Sequence, residues 1–262
     1  MKPEYYLADP TGNITVLVRS PVEEGNLAET ASELMALERT AEQLGFLRPG
    51  SENYDIELRM AGGEFCANAT MSTAAVFCLE NGMDSGKVSV KASGENLPVT
   101  VEVCREESGN YRGTVHMPLP EKITEEELAA GGSRMKYPVV AFRGIIHVIS
   151  TNKLKKQEAE EAAVRWCNEL HADALGIMQL DEERQTIIPL VYVRKAKTLF
   201  WESSCASGTA AAGAWLYRKA GKDHLTVEFR EPAGKLKIEA EKDSLRLTGS
   251  VKILKKPAIT EC

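Results

Sequence analysis

The sequence predicts an α/β (α+β) fold built from two similar halves. Three observations support this: a cysteine-led helix occurs twice, the strands and helices around it follow the same order, and both copies end in an alternating hairpin. At 262 residues the chain suits two domains of about 100–150 residues better than one core. We place the first domain at residues 1–117 and the second at 118–262, with the last strand a candidate to pack on the first domain.

The repeat is clearest at two cysteines that lie 139 positions apart (205 − 66). The first copy reads Cys-Ala-Asn-Ala at 66–69 and the second reads Cys-Ala-Ser-Gly at 205–208, and small or apolar residues follow in both. Each segment ends on a glycine at the same offset, Gly82 and Gly221. The pattern predicts two helices, each beginning at a cysteine. A period of this length indicates a duplicated domain rather than a solenoid.

The remaining elements also recur in order. Runs rich in β-branched and aromatic residues at 5–18 and 137–149, interrupted by turn residues, predict a pair of strands in each half. A helix follows each pair. The first begins at Asn26, with Glu29 placed to form a capping box, and the second has apolar residues at three- and four-residue spacing over 159–170, which predicts that Cys167 is a core residue.

Strands at Tyr54–Met60 and Thr186–Val193 are expected to lead into the two cysteines. Period-two alternation then predicts a hairpin in each half, pairing 88–90 with 99–103 and 225–229 with 236–240. The acidic segment Glu121–Gly132, which follows two prolines, is the expected inter-domain linker.

Composition and charge exclude several functions. A net charge of −6 argues against a nucleic-acid partner. The sequence lacks a membrane-length apolar run and an apolar N-terminal signal stretch, so we expect a cytoplasmic protein with no membrane partner. The six cysteines form no C-x-x-C pair and lie away from histidines at zinc-site spacing, so neither a metal site nor a disulfide framework is expected.

A cysteine at a helix start favours thiolate chemistry. Unpaired N–H groups there lower a thiol's pKa and can hold a carboxylate. Small neighbours, Ala67, Ala206, Ser207 and Gly208, would let a ligand approach the backbone. Two such starts suggest that Cys66 and Cys205 act as base and acid on opposite faces of an amino acid's α-carbon, without a cofactor. The alternatives are that each cysteine is a small buried hydrophobe, or that the two form a disulfide.

These residues resemble the diaminopimelate epimerase family, whose two catalytic cysteines open Cys-Gly-Asn-Gly and Cys-Gly-Ser-Gly motifs. The likeness covers nearly the whole chain. It implies a cofactor-independent, PLP-independent isomerase of two pseudo-symmetric domains. Each domain would be a mostly antiparallel sheet wrapped around a central helix, with the active site in the cleft between them.

The resemblance also suggests substrate-binding residues. Gly12-Asn13 resembles the family's substrate-binding Asn loop. Asn13 and Asn68 are candidates for the substrate's carboxylate or ammonium, and Glu202 for its ammonium; turn capping and an exposed loop are the structural alternatives. His147 matches a family histidine near the thiols, although a lone histidine in an apolar strand is commonly a core residue. Arg194 occupies the arginine position of a family Glu-Arg pair that here reads Val-Arg.

The departures from the family bear on the substrate. Asparagines that recognise the distal end of diaminopimelate are replaced here, for example in Gly-Ile-Ile-His at 144–147, and a buried unpaired charge would be costly. The Gly-Gly-Glu-Phe-Cys stretch at 62–66 instead resembles histidine racemases, so histidine is the expected substrate. Diaminopimelate epimerase, a phenazine-biosynthesis-type isomerase and an inactive amino-acid-binding homologue remain alternatives. A homodimer is one option for assembly, and the sequence does not decide it.

Overall fold

A computed structural model describes residues 3–195 and 197–257. The protein has a mixed α/β fold that consists mostly of strands. The strands are β1 (Tyr5–Pro10), β2 (Thr15–Val18), β3 (Gln43–Ser51), β4 (Tyr54–Met60), β5 (Ser85–Ala92), β6 (Val99–Arg105), β7 (Tyr111–His116), β8 (Lys122–Ala130), β9 (Ser133–Phe142), β10 (Ile145–Ser150), β11 (Ala174–Asp181), β12 (Thr186–Val193), β13 (Thr198–Trp201), β14 (His224–Glu231), β15 (Gly234–Glu241) and β16 (Ser244–Lys255). The helices are α1 (Leu27–Leu37), α2 (Ala67–Glu80), α3 (Lys156–Glu169) and α4 (Ala206–Ala220), and a 3-10 turn (Glu24–Asn26) precedes α1.

The chain forms two compact units. The first contains the described residues up to His116 and those from Thr248 onward. Its strands follow the order β1 to β7 and then β16, and β16 pairs back onto β1, so the sheet closes into a barrel. Helix α2 packs against every strand from β1 to β7 and is buried along most of its length.

Helix α1 covers the outside of this first sheet. Its buried face is Leu27, Ala31 and Leu34, which pack on β1, β2 and β3. Since α2 contacts β2 from the other side, all four residues of β2 are buried. This explains why β2 reads as a continuous apolar run rather than an alternating one.

The second unit, Met117–Leu247, repeats these pairings. Each unit has two parallel strand pairs. In the first, the two strands are joined through α1 or α3: β2 pairs with β3, and β10 with β11. In the second, one strand precedes the cysteine-led helix and the other follows it: β4 pairs with β5, and β12 with β14. Helix α4 packs against β9, β10, β11, β14 and β15. Helix α3 buries Trp166 and Cys167 against β8, β11 and β12, so the prediction that Cys167 is a core residue is confirmed.

Other local predictions have mixed outcomes. The strands at Tyr54–Met60 and Thr186–Val193 and both hairpins are confirmed, with Val88 opposite Val101 and Leu225 opposite Ala240. The predicted linker is wrong, because residues 122–130 form β8 and pair with β9 along their whole length. Glu125 and Glu127 lie on the exposed face of this strand, so an acidic segment is compatible with a strand as well as with a linker.

The predicted capping box at α1 is also wrong. Asn26 has a helical backbone at the end of the 3-10 turn, and its side chain makes no capping bond. An N-cap residue normally needs an extended backbone to present its side chain to the first turn. At α3, the Glu158 carboxylate accepts the Lys155 N–H at 3.0 Å. None of the helices in the described part of the chain has the length and apolar character needed to cross a membrane.

Candidate active site

Cys66 is the N-cap residue of α2. Its backbone is extended (φ −128°, ψ 107°), and its Sγ accepts the Ala69 N–H at 3.5 Å. The Cys66 carbonyl receives the Thr70 N–H at 2.9 Å, which starts the helical ladder. The side chain is half-buried. The thiol therefore lies at the positive end of the helix dipole, as the sequence predicts.

Cys205 occupies the same position on α4. Its backbone angles are nearly those of Cys66 (φ −128°, ψ 96°), but its side chain makes no capping hydrogen bond, and the Gly208 N–H acts only to lower the pKa of its thiol. Cys205 is more buried, with 5% of its surface exposed. The two copies thus share the extended N-cap backbone but differ in capping bond and in how far each thiol is shielded from water.

Burial raises the pKa of Cys205 well above its ordinary value, and the negative carboxylates of Glu202 and Glu231 raise it further. The Gly208 N–H acts in the opposite direction. Because desolvation disfavours the charged form, Cys205 rests as the neutral thiol. A thiol of this kind is suited to donate a proton first.

Glu231 lies under the start of α4. Its carboxylate accepts the Cys205 N–H at 2.6 Å and the hydroxyls of Thr209 and Ser204. The residue is 3% exposed, and burial raises its pKa to about 7. Sequence reasoning missed this residue. The alternation of β14 could have revealed it, because Glu231 follows Val227 and Phe229 at every second position, on the buried face of the strand.

His147 reaches the second thiol through Ser207. The His147 Nε2 lies 3.0 Å from Ser207 Oγ, which in turn lies 3.7 Å from Cys205 Sγ. His147 is fully buried, and desolvation lowers its pKa to about 3, so the imidazole is neutral. Within the described residues its Nδ1 has no hydrogen-bond partner. An unpaired buried N–H is rarer than an under-satisfied acceptor, which favours the Nε2–H tautomer donating to Ser207.

Two glycines allow this close packing. A Cβ at Gly176, which lies opposite His147 in the β10–β11 pair, would overlap the imidazole Nδ1. A Cβ at Gly208 would overlap the Met178 sulfur and lie 3.2 Å from Cys205 Sγ. Position 208 must therefore lack a side chain for the thiol and Met178 to lie side by side.

Asn13 lies in the turn after β1, where Gly12 has φ +94° and donates its N–H to Asp9 Oδ1 at 2.5 Å. The Asn13 amide donates to Glu42 Oε2 at 2.8 Å. Its Oδ1 is buried and has no partner among the described residues. An unsatisfied buried acceptor is costly and is available to a ligand donor. Glu42 was also missed by the sequence reasoning, since it becomes a neighbour only through the β2–β3 pairing.

The other candidates differ in setting. Ala67, Asn68 and Ala206 are buried in the first turns of the two helices. Glu202 is half-buried and bonds the Cys205 thiol. Arg194 forms a solvent-exposed ion pair with Asp173 at 3.1 Å.

No disulfide joins the five cysteines described, and Cys262 lies outside the described part of the chain. Between residues 3 and 257, Ala196 excepted, no group of three or more His, Cys, Asp or Glu side chains could hold a metal ion.

Solved structures share this fold. A hydroxyproline epimerase from Agrobacterium vitis, solved with bound trans-4-hydroxy-L-proline, matches with a TM-score of 0.72 over 99% of this chain and 93% of that one, at 11% identity. A PhzF-family phenazine biosynthesis protein from Enterococcus faecalis matches with a TM-score of 0.63 at 15% identity, covering 98% and 99%. At these identities the likeness concerns the fold alone.

Sequence relatives identify the class and then the family. Proteins named histidine racemase from Fusobacterium nucleatum subsp. nucleatum and Staphylococcus aureus are 29% and 28% identical, over 96% and 91% of this chain and 94% and 89% of theirs. This protein is accordingly an isomerase of the racemase and epimerase class. The model of the histidine racemase CntK N-terminal domain matches residues 3–258, and the chain belongs to that family. The resemblance drawn from the cysteine motifs is thereby confirmed.

Proposed function

We propose that this protein is a cofactor-independent histidine racemase in which Cys66 and Cys205 are the two bases. The observation that carries the proposal is the matched pair of N-cap cysteines, which have the same extended backbone at the starts of α2 and α4. Family membership supports the amino-acid substrate, and the relatives named histidine racemase support histidine in particular.

The chemistry balances without an external reagent. One thiolate removes the α-proton and becomes a thiol, while the opposite thiol donates its proton to the other face of the carbanion and becomes a thiolate. The enzyme ends the turnover with the two protonation states exchanged. Since Cys205 rests as a thiol, we assign it the donating role in the first turnover and Cys66 the abstracting role.

Substrate binding is proposed to use both helix starts. The first-turn N–H groups of Ala67 and Asn68, and of Ala206 and Ser207, lie outside the helical ladder and favour a carboxylate. Glu202 and the Oδ1 of Asn13 are proposed to accept the α-ammonium. Ser207, positioned by His147, would donate to the Cys205 sulfur when that sulfur is a thiolate.

The carbanion has no cofactor to delocalise its charge. Stabilisation must therefore come from oriented N–H groups and helix dipoles, which act strongly where water is excluded.

Solvent-deuterium exchange at the α-carbon tests the proposal. Protein without a pyridoxal absorbance band is incubated in deuterated buffer with L-histidine, D-histidine, diaminopimelate and a panel of other amino acids, and exchange is read by NMR. We expect both histidine enantiomers to exchange and to racemise. Exchange of diaminopimelate alone would correct the substrate, and exchange of none would reject the racemase assignment.

Cysteine variants test the two-base mechanism. Cys66→Ser and Cys205→Ser should each abolish racemisation, because a serine hydroxyl ionises far less readily than a thiol and so supplies neither the anionic base nor the proton donor. Cys104→Ser is the matched control, since Cys104 is an exposed thiol on β6. Retained racemisation in either of the first two variants would contradict the mechanism.

A further inference from the structure

Glu231 is a buried carboxyl group that the proposed reaction does not use. It ends β14 in the inward phase and is bonded by one amide and two hydroxyls, from Cys205, Thr209 and Ser204. Each of these donors is neutral, so the carboxylate's charge is not cancelled by an opposite charge. Burying such a group is costly, and a fold that needed only a hydrogen-bond acceptor here could use an amide.

The repeat shows that only one half of the protein has this group. The 139-residue offset relates Glu231 to Ala92 (231 − 139), and both residues end the strand that follows the cysteine-led helix, β14 and β5. Ala92 is buried, as Glu231 is. The neighbouring Ser93 Oγ instead donates to the Glu64 carbonyl at 2.8 Å and accepts the Met60 N–H at 2.9 Å. The carboxyl group is thus an asymmetric addition to an otherwise matched pair of helix starts.

We propose that Glu231 is a positioning residue that anchors Cys205 at the start of α4 and makes the two thiols chemically inequivalent. The inference rests on the proposed two-cysteine function. Through the Cys205 amide, Glu231 fixes the backbone that aims Sγ, and through its charge it favours the neutral form of the adjacent thiol. The enzyme then rests in one of its two protonation states, with the proton on Cys205.

The charged and titratable groups around Cys205 are few. Glu202, on the segment before α4, and Glu231, from β14, both oppose ionisation of the thiol. His147, from β10, reaches the thiol only through Ser207 and is neutral. Glu231 ionises close to neutral pH, at a pKa of about 7. Its effect on Cys205 should therefore appear as the pH rises past that value.

The test measures thiolate formation without any substrate. The pH titration of ultraviolet thiolate absorbance is recorded for Cys66→Ser and for Cys66→Ser/Cys205→Ser, and the difference reports Cys205. Adding Glu231→Gln removes the charge and keeps one acceptor oxygen for the Cys205 N–H, while the Thr209 hydroxyl can turn to accept from the new amide NH2. Above the pKa of Glu231 we expect the Cys205 thiolate fraction to rise about tenfold, because a like charge at this range shifts a pKa by about one unit. Below that pKa Cys205 is a neutral thiol in both proteins, so neither should show Cys205 thiolate absorbance there.

Two controls separate this role from a merely structural one. Glu228→Gln removes an exposed carboxylate on the same strand, one paired with Lys235, and should leave the Cys205 titration unchanged. Glu231→Gln in a Cys205→Ser background should leave the Cys66 titration unchanged. A Cys205 titration unaltered by Glu231→Gln, or an equal shift in Cys66, would overturn the proposal. Failure of α-proton exchange with every amino acid would reject the racemase assignment and leave this titration result intact.

Discussion

Gly208→Ala tests the claim that Cys205 is held by close packing at the start of α4. The new Cβ would overlap the Met178 sulfur, lie 2.9 Å from Met178 Cε and 3.2 Å from Cys205 Sγ. Favourable contacts between such atoms are at about 3.5–4.0 Å, so the Met178 sulfur must move by well over 1 Å and the Cys205 sulfur by roughly 0.3–0.8 Å. Met178 is fully buried, so part of that movement falls on the thiol.

The expected magnitudes follow from two opposing terms. Overpacking a core costs about 1–3 kcal/mol, while replacing glycine by alanine inside a helix returns about 0.5–1 kcal/mol. We therefore expect a loss of about 0–2.5 kcal/mol in unfolding free energy. Because a misplacement of about 1 Å at a reacting group can cost about 100-fold in rate, α-proton exchange should fall by about 10- to 100-fold.

Gly213→Ala is the matched control on the same helix. Its Cβ would lie 2.6 Å from two carbons of the buried Ile238, which gives similar overpacking without a thiol contact. Urea unfolding should show comparable losses for both variants, whereas exchange of the α-proton should fall only in Gly208→Ala. Equal exchange rates in the two variants would refute the argument that position 208 places the thiol.

Three further predictions concern charge. The pKa of Glu231 is about 7 in the folded protein against an ordinary 4.5, so its contribution to stability is full below 4.5 and is lost as the pH rises through 7. As the pH rises through that range, urea unfolding should show the unfolding free energy of Glu231→Gln increasing by about 3 kcal/mol relative to that of the wild type. A difference that does not change with pH would contradict the buried ionisation. The pKa of His147 falls from 6.5 to about 3, so its contribution is present above 6.5 and lost as the pH falls through 3. As the pH falls, the unfolding free energy of the wild type should drop by as much as about 5 kcal/mol through this group, and that of His147→Gln should not. The same acid-induced drop in both proteins would disprove the argument. Arg194→Ala removes an exposed ion pair and should cost less than about 1 kcal/mol with no change in α-proton exchange; a tenfold slower exchange would instead place Arg194 at the substrate.

Local sequence was sufficient to predict several elements. Apolar residues alternate with a period of two over 225–229 and 236–240, which predicted the hairpin. They recur every three or four residues over 159–170, which predicted α3. The acidic run at 121–132 could not be assigned from its sequence, because a strand with one exposed face and a linker can have the same composition. Its pairing with β9 decided the matter.

The site divides in the same way. The repeat of Cys66 and Cys205 before two runs of small residues predicted, without coordinates, that two thiols begin two helices, and the resemblance of these motifs to the epimerase family predicted a racemase-like isomerase. Glu231 lies 26 residues from Cys205 along the chain, and His147 lies 60 from Ser207. Only the tertiary structure decided that these residues meet, because a carboxyl or an imidazole in a strand becomes part of a site through the register of the sheet beneath the helix. That register gives Cys205 a buried acid where the matching position in the first half is Ala92, an asymmetry that the repeated motif conceals.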